Sequence, residues 1–368
     1  MTAQVVQSAQ KSVSAPGRPP IPLRRRRFAC GPVSILVRPR IMIVGAVLAI
    51  AVVALFFGTV TASQYPMSFG DVLRILSGGG GRIENVIVFD SQLPLAWTSA
   101  LVGAGFGLSG ALTQTITRNP LATPDFLGIS AGASVGAVLV ITVGTSWGVG
   151  TVGLPIAALV GGLLAAVAMY LLSWRRGGMD PLRLVLIGVA VTWALQGIVG
   201  YLLTRALVTD ATRAQTWLVG SVEGATWSSV KWPAIGLAIG VVAAVAGART
   251  LTVLPLDDDS IKGLGVRPSR AVGALLLAGV VVAALSVAAA GPVAFVALLA
   301  PQIAMRLART PAPGPLNSAL CGAALVLASV LVCRTLLPVT LPVGVVTAAL
   351  GGPALIYLML MTSRKGRA

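Results

Sequence analysis

Residues 117–134 read TRNPLATPDFLGISAGAS and lie between two strongly apolar stretches of the chain. Pro120 and Pro124 each lack a backbone N–H and restrict the residue before them, so a helix cannot continue through this segment. Asp125 then stands at the start of the next apolar stretch, where a carboxylate favours a helix N-terminus. Small residues follow from Gly128 to Ser134. Irregular backbone at membrane depth persists only where it is buried in protein or lines a water-filled path. The segment therefore predicts a sharp turn beside either a pathway or a tight packing seam.

The composition of the 368-residue chain is that of a polytopic membrane protein. Hydrophobic residues make up 56% of the chain and charged residues only 10%, whereas a soluble domain carries about 25% charged residues. The mean hydropathy is +0.92. Ten apolar runs are long enough to span a bilayer. They cover 41–62, 94–116, 125–145, 152–173, 181–203, 232–253, 271–290, 292–308, 316–337 and 342–361.

The seventh and eighth runs meet at Gly291 and Pro292, so nine spans are the main alternative to ten. The net charge of +17 is explained by loop residues that obey the positive-inside rule, without a nucleic-acid partner. With the N-terminus inside, 21 of the 27 basic residues fall on the inner side. Nine spans would move the basic residues at 364–367 outside, so the charges favour ten spans with both termini cytoplasmic.

These patterns divide the chain into three parts. We predict a basic, mostly disordered cytoplasmic tail over 1–40, a transmembrane domain over 41–362 and a short cytoplasmic tail over 363–368. The arginines at 24–27 precede the first run, as an orientation signal does, and an alternative role for them is contact with anionic lipid.

Residues that carry catalytic and metal chemistry are scarce. The chain has no histidine, ten acidic residues, and three cysteines without a close pair, Cys30, Cys321 and Cys333. It therefore lacks the usual ligands of a dedicated metal site and a base for nucleophilic catalysis. No GxxxxGK[ST] phosphate loop occurs in the sequence. We expect no cofactor in this subunit and no ATP hydrolysis by that route.

Four blocks of sequence resemble the signature of the FecCD family, the permeases of iron–siderophore and cobalamin ABC importers. They are GLSGALTQTITRNPLATPDFLGISAGAS at 107–134, GLGVRPSR at 263–270, AGPVAFVALLAPQIAMRLAR at 290–309 and LPVGVVTAALGGPALIYLML at 341–360. The blocks keep the family's order and spacing over 41–362, and they look nearest to the ferric-enterobactin type. The resemblance implies an all-α, type II ABC importer permease fold with ten transmembrane helices per subunit and two subunits around one pathway.

The resemblance also implies a function and a set of partners. The chain is expected to be the permease of an ATP-driven importer of ferric siderophore in the bacterial cytoplasmic membrane, with cobalamin or haem as alternative cargo. Its expected partners are membrane lipid, a second permease subunit, a siderophore-binding protein and an ABC ATPase dimer that holds ATP and magnesium. The iron of such a chelate is already coordinated, so the permease needs no metal ligands of its own, which agrees with a chain without histidine.

Two other classes of protein remain as alternatives. An ion-coupled secondary transporter would want an ionisable group mid-span, and no acidic residue lies well inside a predicted span. An intramembrane enzyme would need a nucleophile with its base, or a metal set, and the sequence has neither.

Specific residues receive roles from the resemblance. Asn119 and Leu121 are expected at the inner gate, on the turn after the second span. The loop 256–270, LDDDSIKGLGVRPSR, is expected to couple the permease to the ATPase, although its residues alone also fit a solvated connection. The coupling candidates are Asp257, Asp258, Asp259, Lys262, Gly263 and Gly265.

Polar and aromatic residues on the fifth span are candidates for the translocation pathway. Their spacing places them on one or two faces of a helix. Hydrogen bonding between helices and anchoring at the membrane interface are the alternative roles. The residues are Thr192, Trp193, Gln196 and Tyr201.

The chain departs from the family at the face that meets the binding protein. Residues 92–95 read QLPL where the family commonly has RLPR, and the family's Asp and Arg on the ninth span become Ser329 and Cys333. The family's APH reads APQ at 300–302. Arg334 follows one residue after the expected arginine, rotated by about 100° around a helix.

Two explanations fit these losses. Either this subunit pairs with a paralogue that carries the usual arginines, or the docking charges have moved. The joint loss favours the paralogue, because exposed charge pairs contribute only about 0–1 kcal/mol each and one subunit can lose them. The relocated docking candidates are Arg74, Arg82 and Arg334.

Overall fold

The structure, a computed structural model, describes residues 26–30, 33–37, 39–63, 65, 67–144, 153–175, 178–179, 181–255, 268–336 and 341–365. Most of these residues are helical. Strands β1 (Arg26–Cys30) and β2 (Val33–Val37) form one antiparallel hairpin, and β3 (Trp174–Arg175) and β4 (Gly178–Met179) form another. The first hairpin lies in the segment for which the sequence predicted a mostly disordered tail. Its β-branched and aromatic residues have high strand propensity.

Each predicted apolar run contains a helix. The helices are α1 (Pro39–Thr61), α2 (Phe69–Arg74), α3 (Arg82–Asn85), α4 (Leu93–Thr117), α5 (Ile129–Thr142), α6 (Gly153–Ser173), α7 (Pro181–Arg205), α8 (Val208–Val219), α9 (Trp227–Ala246), α10 (Ala248–Val253), α11 (Pro268–Ala290), α12 (Val296–Ala308), α13 (Pro315–Thr335) and α14 (Val343–Lys365). Of these, α2, α3 and α8 lie between runs. Among the described residues, seven helices are long and apolar enough to cross a membrane. Shorter apolar helices cover Ile129–Thr142, Val296–Ala308 and Val343–Tyr357.

Helix α4 lies at the centre of the bundle. Its most apolar window is 89% buried, whereas that of α1 is only 6% buried. Helices α9, α11, α12 and α13 all pack against α4, while α1 exposes apolar side chains such as Val47, Ile50 and Val53. Exposed apolar side chains on a peripheral helix are suited to contact with lipid tails.

Glycines allow the backbone of α4 to approach α13 directly. A Cβ atom at Gly103 would lie 2.3 Å from the carbonyl oxygen of Gly322, and one at Gly107 would lie 2.1 Å from that of Ser318. Both distances are far shorter than a van der Waals contact, so only glycine fits at these two positions. Because residues four apart share a helix face, they form the kind of small-residue interface that drives helix association in membranes.

The small residues that follow the opening turn form a second close contact, between α5 and α6. A Cβ atom on Gly132 or on Gly161 would lie 2.3 Å from the carbonyl oxygen of the other glycine. One face of α5 is therefore a packing seam, as one of the two predictions for the opening stretch required. The other face of α5 borders a cavity, which is described below.

We predict that Gly107→Leu destabilises the protein, because the larger side chain forces α4 and α13 apart. Overpacking of a closely packed contact typically costs about 1–3 kcal/mol. The measurement is thermal unfolding in detergent. The matched control is Gly197→Leu on α7, where a Cβ atom would meet no neighbouring atom within 4 Å. Equal Tm values for the two variants would contradict the direct backbone contact.

Candidate functional site

The turn after α4 is held by its own hydrogen bonds. Arg118 ends the helix with left-handed backbone, at a φ of 50°. The Asn119 side-chain oxygen accepts a hydrogen bond from the Leu121 backbone N–H at 2.9 Å, and the Asn119 carbonyl accepts one from Ala122 at 3.1 Å. Such an Asx turn replaces helical bonds that Pro120 interrupts. The two predicted gate residues, Asn119 and Leu121, thus lie in one ordered and exposed turn.

A second tight turn leads into α5. Residues Pro124–Leu127 form one turn of 3-10 helix, and the Gly128 N–H donates to the Asp125 carbonyl at 2.8 Å. Gly128 has a φ of 65°, a left-handed conformation that favours glycine. The Asp125 carboxylate accepts a hydrogen bond from the hydroxyl of Ser130. Asp125 thus lies just before α5, as predicted, and contacts the first turn of that helix.

A cavity of about 810 Å³ extends from this second turn between α5, α7, α8 and α14. Residues 292–294, which connect α11 to α12, complete its wall. Most of the lining is apolar or backbone, and the polar side chains come from the turn, α5, α7 and α8. They are Asp125, Ser130, Ser134, Thr192, Gln196 and Gln215.

Two of the four pathway candidates on α7 line this cavity. Thr192 and Gln196 are one helical turn apart and face it together. Trp193 and Tyr201 are not among the lining residues, and their side chains are 73% and 63% exposed. The sequence left open whether the four candidates share one helix face or two. In the structure Thr192 and Gln196 lie on the face that borders the cavity, and Trp193 and Tyr201 lie away from it. Sequence reasoning did not identify Gln215, because α8 lies outside the ten apolar runs, between 181–203 and 232–253.

A second cavity of about 810 Å³ lies at the end of the bundle where α4 terminates, here called the turn end. Its lining includes the basic residues Arg118, Arg306 and Arg309. Gln114 and Gln302 also line it and are buried. The Gln302 amide donates to the Gln114 side-chain oxygen at 2.7 Å, which joins α4 to α12. Gln302 is the position at which the sequence departs from the family's APH.

The predicted ATPase-coupling residues lie outside the described residues. They are Asp257, Asp258, Asp259, Lys262, Gly263 and Gly265. The described residues include the segment just before that loop, where the Arg118 guanidinium Nε donates to the Leu254 carbonyl at 2.8 Å. The chain is therefore bonded, two residues before the loop begins, to the turn that carries Asn119 and Leu121.

Arg334 joins several segments at the other end of α4, here called the connector end. Its Nε and Nη2 atoms donate to the two carboxylate oxygens of Glu223 at 3.0 and 2.9 Å. Its Nη1 atom donates to the side-chain oxygen of Gln92 at 2.6 Å and to the Ala62 carbonyl at 3.4 Å. The Arg334 side chain is only 13% exposed. A bidentate pair of this kind is stronger than an ordinary surface ion pair.

The connector 220–226 that carries Glu223 is also fixed by backbone hydrogen bonds. The Ser221 N–H donates to the Ala290 carbonyl at 2.8 Å, and the Gly344 N–H donates to the Gly220 carbonyl at 3.0 Å. These bonds attach the connector to the end of α11 and the start of α14. Because the connector directly follows α8, the pair between Arg334 and Glu223 helps to position that wall of the cavity.

The other two docking candidates lie in the segment before α4. Arg74 donates to the Glu84 carboxylate at 3.0 Å and to the Gly79 carbonyl at 2.8 Å. Arg82 is exposed at the first position of α3. Two of the three candidates, Arg74 and Arg334, are thus bonded within the chain.

We predict that Arg334→Ala lowers the free energy of unfolding by about 1–3 kcal/mol, because Glu223 and the buried Gln92 lose a charged donor. Thermal unfolding in detergent measures the loss. Arg205→Ala, at an exposed position at the end of α7, is the matched control and should change Tm little. The double variant Arg334→Glu/Glu223→Arg, which keeps an ion pair with the charges exchanged, should recover part of the lost stability. A single Arg334→Ala variant as stable as the Arg205→Ala control would contradict the prediction.

Comparison with known proteins relates this architecture to membrane permeases. The ferric enterobactin transport system permease protein FepG of Escherichia coli is 35% identical over 332 residues, which cover 90% of this chain and 99% of that protein. The achromobactin transport system permease protein CbrC of Dickeya dadantii is 39% identical, over 85% of this chain and 88% of that protein. The iron(3+)-hydroxamate import system permease protein FhuG of Bacillus subtilis is 34% identical, with coverage of 87% and 97%.

The fold and the sequence lead to the same assignment. A solved structure described as an inward-facing conformation of a metal-chelate type ABC transporter has a TM-score of 0.73, covering 87% of this chain and 99% of that chain. At 23% identity this match shows a shared fold. The model of the FecCD transport family matches residues 39–361, which include both turns, both cavities and the Arg334 contacts. With the relatives above, this match shows that the chain belongs to the FecCD transport family.

Proposed function

We propose that the chain is the membrane-spanning permease subunit of an ATP-driven importer that carries ferric siderophores across the bacterial cytoplasmic membrane. The cavity between α5, α7, α8 and α14 carries the proposal, because it is wide and has several polar side chains on a largely apolar wall, in a chain whose relatives are named as permeases for iron chelates. Among the described residues, no cluster of His, Cys, Asp or Glu is arranged to hold a metal ion. Such a cavity suits a chelate whose iron is already coordinated.

In this proposal the chain crosses the membrane ten times, with the turn end in the cytoplasm. The seven long helices and the three shorter apolar ones supply the ten crossings. The 14-residue α5 is short because the two turns at 118–128 precede it. Arg118, Arg306 and Arg309 gather at the turn end, which supports a cytoplasmic location by the positive-inside rule.

Site-directed labelling tests the orientation. The native Cys30, Cys321 and Cys333 are first replaced by serine, and single cysteines are then introduced. An impermeant thiol reagent added outside intact cells should react with Arg213→Cys on α8 and should not react with Lys262→Cys. Both sites should react after the cells are permeabilised. Labelling of Lys262→Cys but not of Arg213→Cys in intact cells would contradict the proposed orientation and indicate the opposite one.

The contacts at the turn end support a mechanism for gating. We assign the inner gate to the turn that carries Asn119 and Leu121, and ATPase coupling to the loop that begins after Pro255. The hydrogen bond from Arg118 to the Leu254 carbonyl links the two. A movement of the loop when the ATPase binds or hydrolyses ATP would shift this turn. The same chain segment continues to Asp125 and Gly128, which line the cavity.

The contacts at the connector end bear on the choice of partner subunit. Arg74 and Arg334 are bonded to Glu84 and Glu223 within the chain, so fewer charges remain to meet a binding protein. We therefore propose a paralogous second permease that supplies most of the docking charges. ATP and magnesium would bind to the separate ATPase dimer, and lipid would surround exposed helices such as α1.

Reconstitution tests the proposed function. Proteoliposomes with this chain, a paralogous permease from the same cell, the ATPase and the binding protein should accumulate radiolabelled ferric siderophore only with ATP. An ATPase variant without its phosphate-loop lysine is the negative control and should accumulate none. Omission of the paralogue should abolish uptake, and full uptake without it would contradict the heterodimer. Uptake of cobalamin or haem but not of any ferric siderophore, or uptake driven by an ion gradient without ATP, would overturn the proposed function.

A further inference from the structure

The described lining of the cavity has one acidic side chain and no basic side chain. Among the described residues that line it, Asp125 is the one with an ionisable side chain, and none is a lysine or an arginine. Asp125 is exposed and is one of the residues that line the cavity, where its carboxylate also accepts a hydrogen bond from the Ser130 hydroxyl. Arg118 and Arg306 line the separate cavity at the turn end. This wall of the proposed pathway therefore offers no positive charge to its cargo.

The neutral polar groups of the lining differ in how available they are. The Ser130 hydroxyl donates to Asp125, and the Ser134 hydroxyl donates to the Ser130 carbonyl at 2.7 Å. The side chains of Gln196 and Gln215 are exposed to the cavity. An amide side chain both donates and accepts hydrogen bonds. The lining therefore matches the neutral amide, hydroxyl and carbonyl groups of a chelate.

Ferric chelates differ in charge according to their ligand chemistry. Each catecholate group binds iron(III) through two negative oxygens, so a tris-catecholate complex is strongly anionic. Each hydroxamate group brings one negative oxygen, so three of them balance the metal and the complex is neutral, or cationic when its backbone carries an amine. Bringing an unpaired anion into a largely apolar enclosure is costly, and a nearby carboxylate increases that cost.

We propose that this subunit favours ferric hydroxamate chelates without net negative charge over ferric tris-catecholates. The inference rests on the proposed function, because it concerns the cargo of the same cavity. Asp125 and the absence of lysine and arginine from the described lining disfavour the anionic complex, and Gln196 and Gln215 supply neutral hydrogen-bonding groups.

The test measures the ratio of hydroxamate to catecholate uptake in proteoliposomes that contain the whole importer. The binding protein is the same in every sample and is chosen to bind both chelates with equal affinity, so the ratio and any change in it report on the permease. The wild-type importer should take up the neutral chelate about tenfold better, which corresponds to a difference of about 1.4 kcal/mol. Asp125→Asn and Gln215→Lys should each reduce that ratio. Thr212→Lys adds the same charge at an exposed position on α8 that does not line the cavity, and should leave the ratio unchanged.

Each outcome has a distinct meaning. Equal uptake of the two chelates, preference for the catecholate, or a ratio that neither Asp125→Asn nor Gln215→Lys alters would overturn this inference and leave the proposed function intact. A ratio changed as much by Thr212→Lys as by Gln215→Lys would also overturn it, because the effect would then come from general surface charge. ATP-dependent uptake of neither chelate would overturn the proposed function together with the inference. Asp125→Asn preserves side-chain size, so it tests the charge even if Gln215→Lys fails to assemble.

Discussion

The direct contact between the backbones of α4 and α13 is the constraint on which the rest of the structure depends. Gly103 and Gly107 leave no room for a side chain against Gly322 and Ser318. In a membrane the hydrophobic effect does not drive helices together, so close van der Waals packing of this kind has to hold the central helix in place. Because α4 is enclosed on nearly all sides, its two ends are fixed relative to the neighbouring helices, and the turn of the proposed inner gate and the Arg334 contacts lie at those ends.

The two ends of α4 have contrasting chemistry. At the turn end, the Asx turn of Asn119 and the bond from Arg118 to Leu254 place irregular backbone next to a loop expected to meet the ATPase. At the connector end, Gln92 accepts a hydrogen bond from Arg334, whose ion pair with Glu223 fixes the segment after α8. One end therefore has an Asx turn bonded to the segment before the 256–270 loop, and the other has a charged network between separate helices. A rigid helix between them supplies a physical connection.

Local chemistry explains why some features were predictable from the sequence and others were not. The prolines at 120 and 124 forbid a continuous helix, so the turn was predictable, and the apolar runs were sufficient to locate the long helices. The contact between Gln92 and Arg334 joins residues 242 positions apart, and nothing in the local pattern of either segment indicates it. Likewise, the positions of Thr192 and Trp193 on different faces of α7 become clear only when α5 and α8 are packed against that helix.

The placement of positive charge connects the topology with the proposed cargo. Arginines at the turn end agree with the proposed cytoplasmic location, and two arginines at the connector end are paired with acidic neighbours, Arg74 with Glu84 and Arg334 with Glu223. A lysine or arginine placed inside the cavity would have to be desolvated or paired, at a substantial cost in a membrane-embedded chain. In an importer of strongly anionic chelates, a basic residue in the cavity would offset that cost by stabilising the cargo, whereas a neutral cargo would provide no such compensation. The described lining of the cavity has no lysine or arginine, and Arg74 and Arg334 are paired, so both features keep unpaired cations away from the proposed pathway.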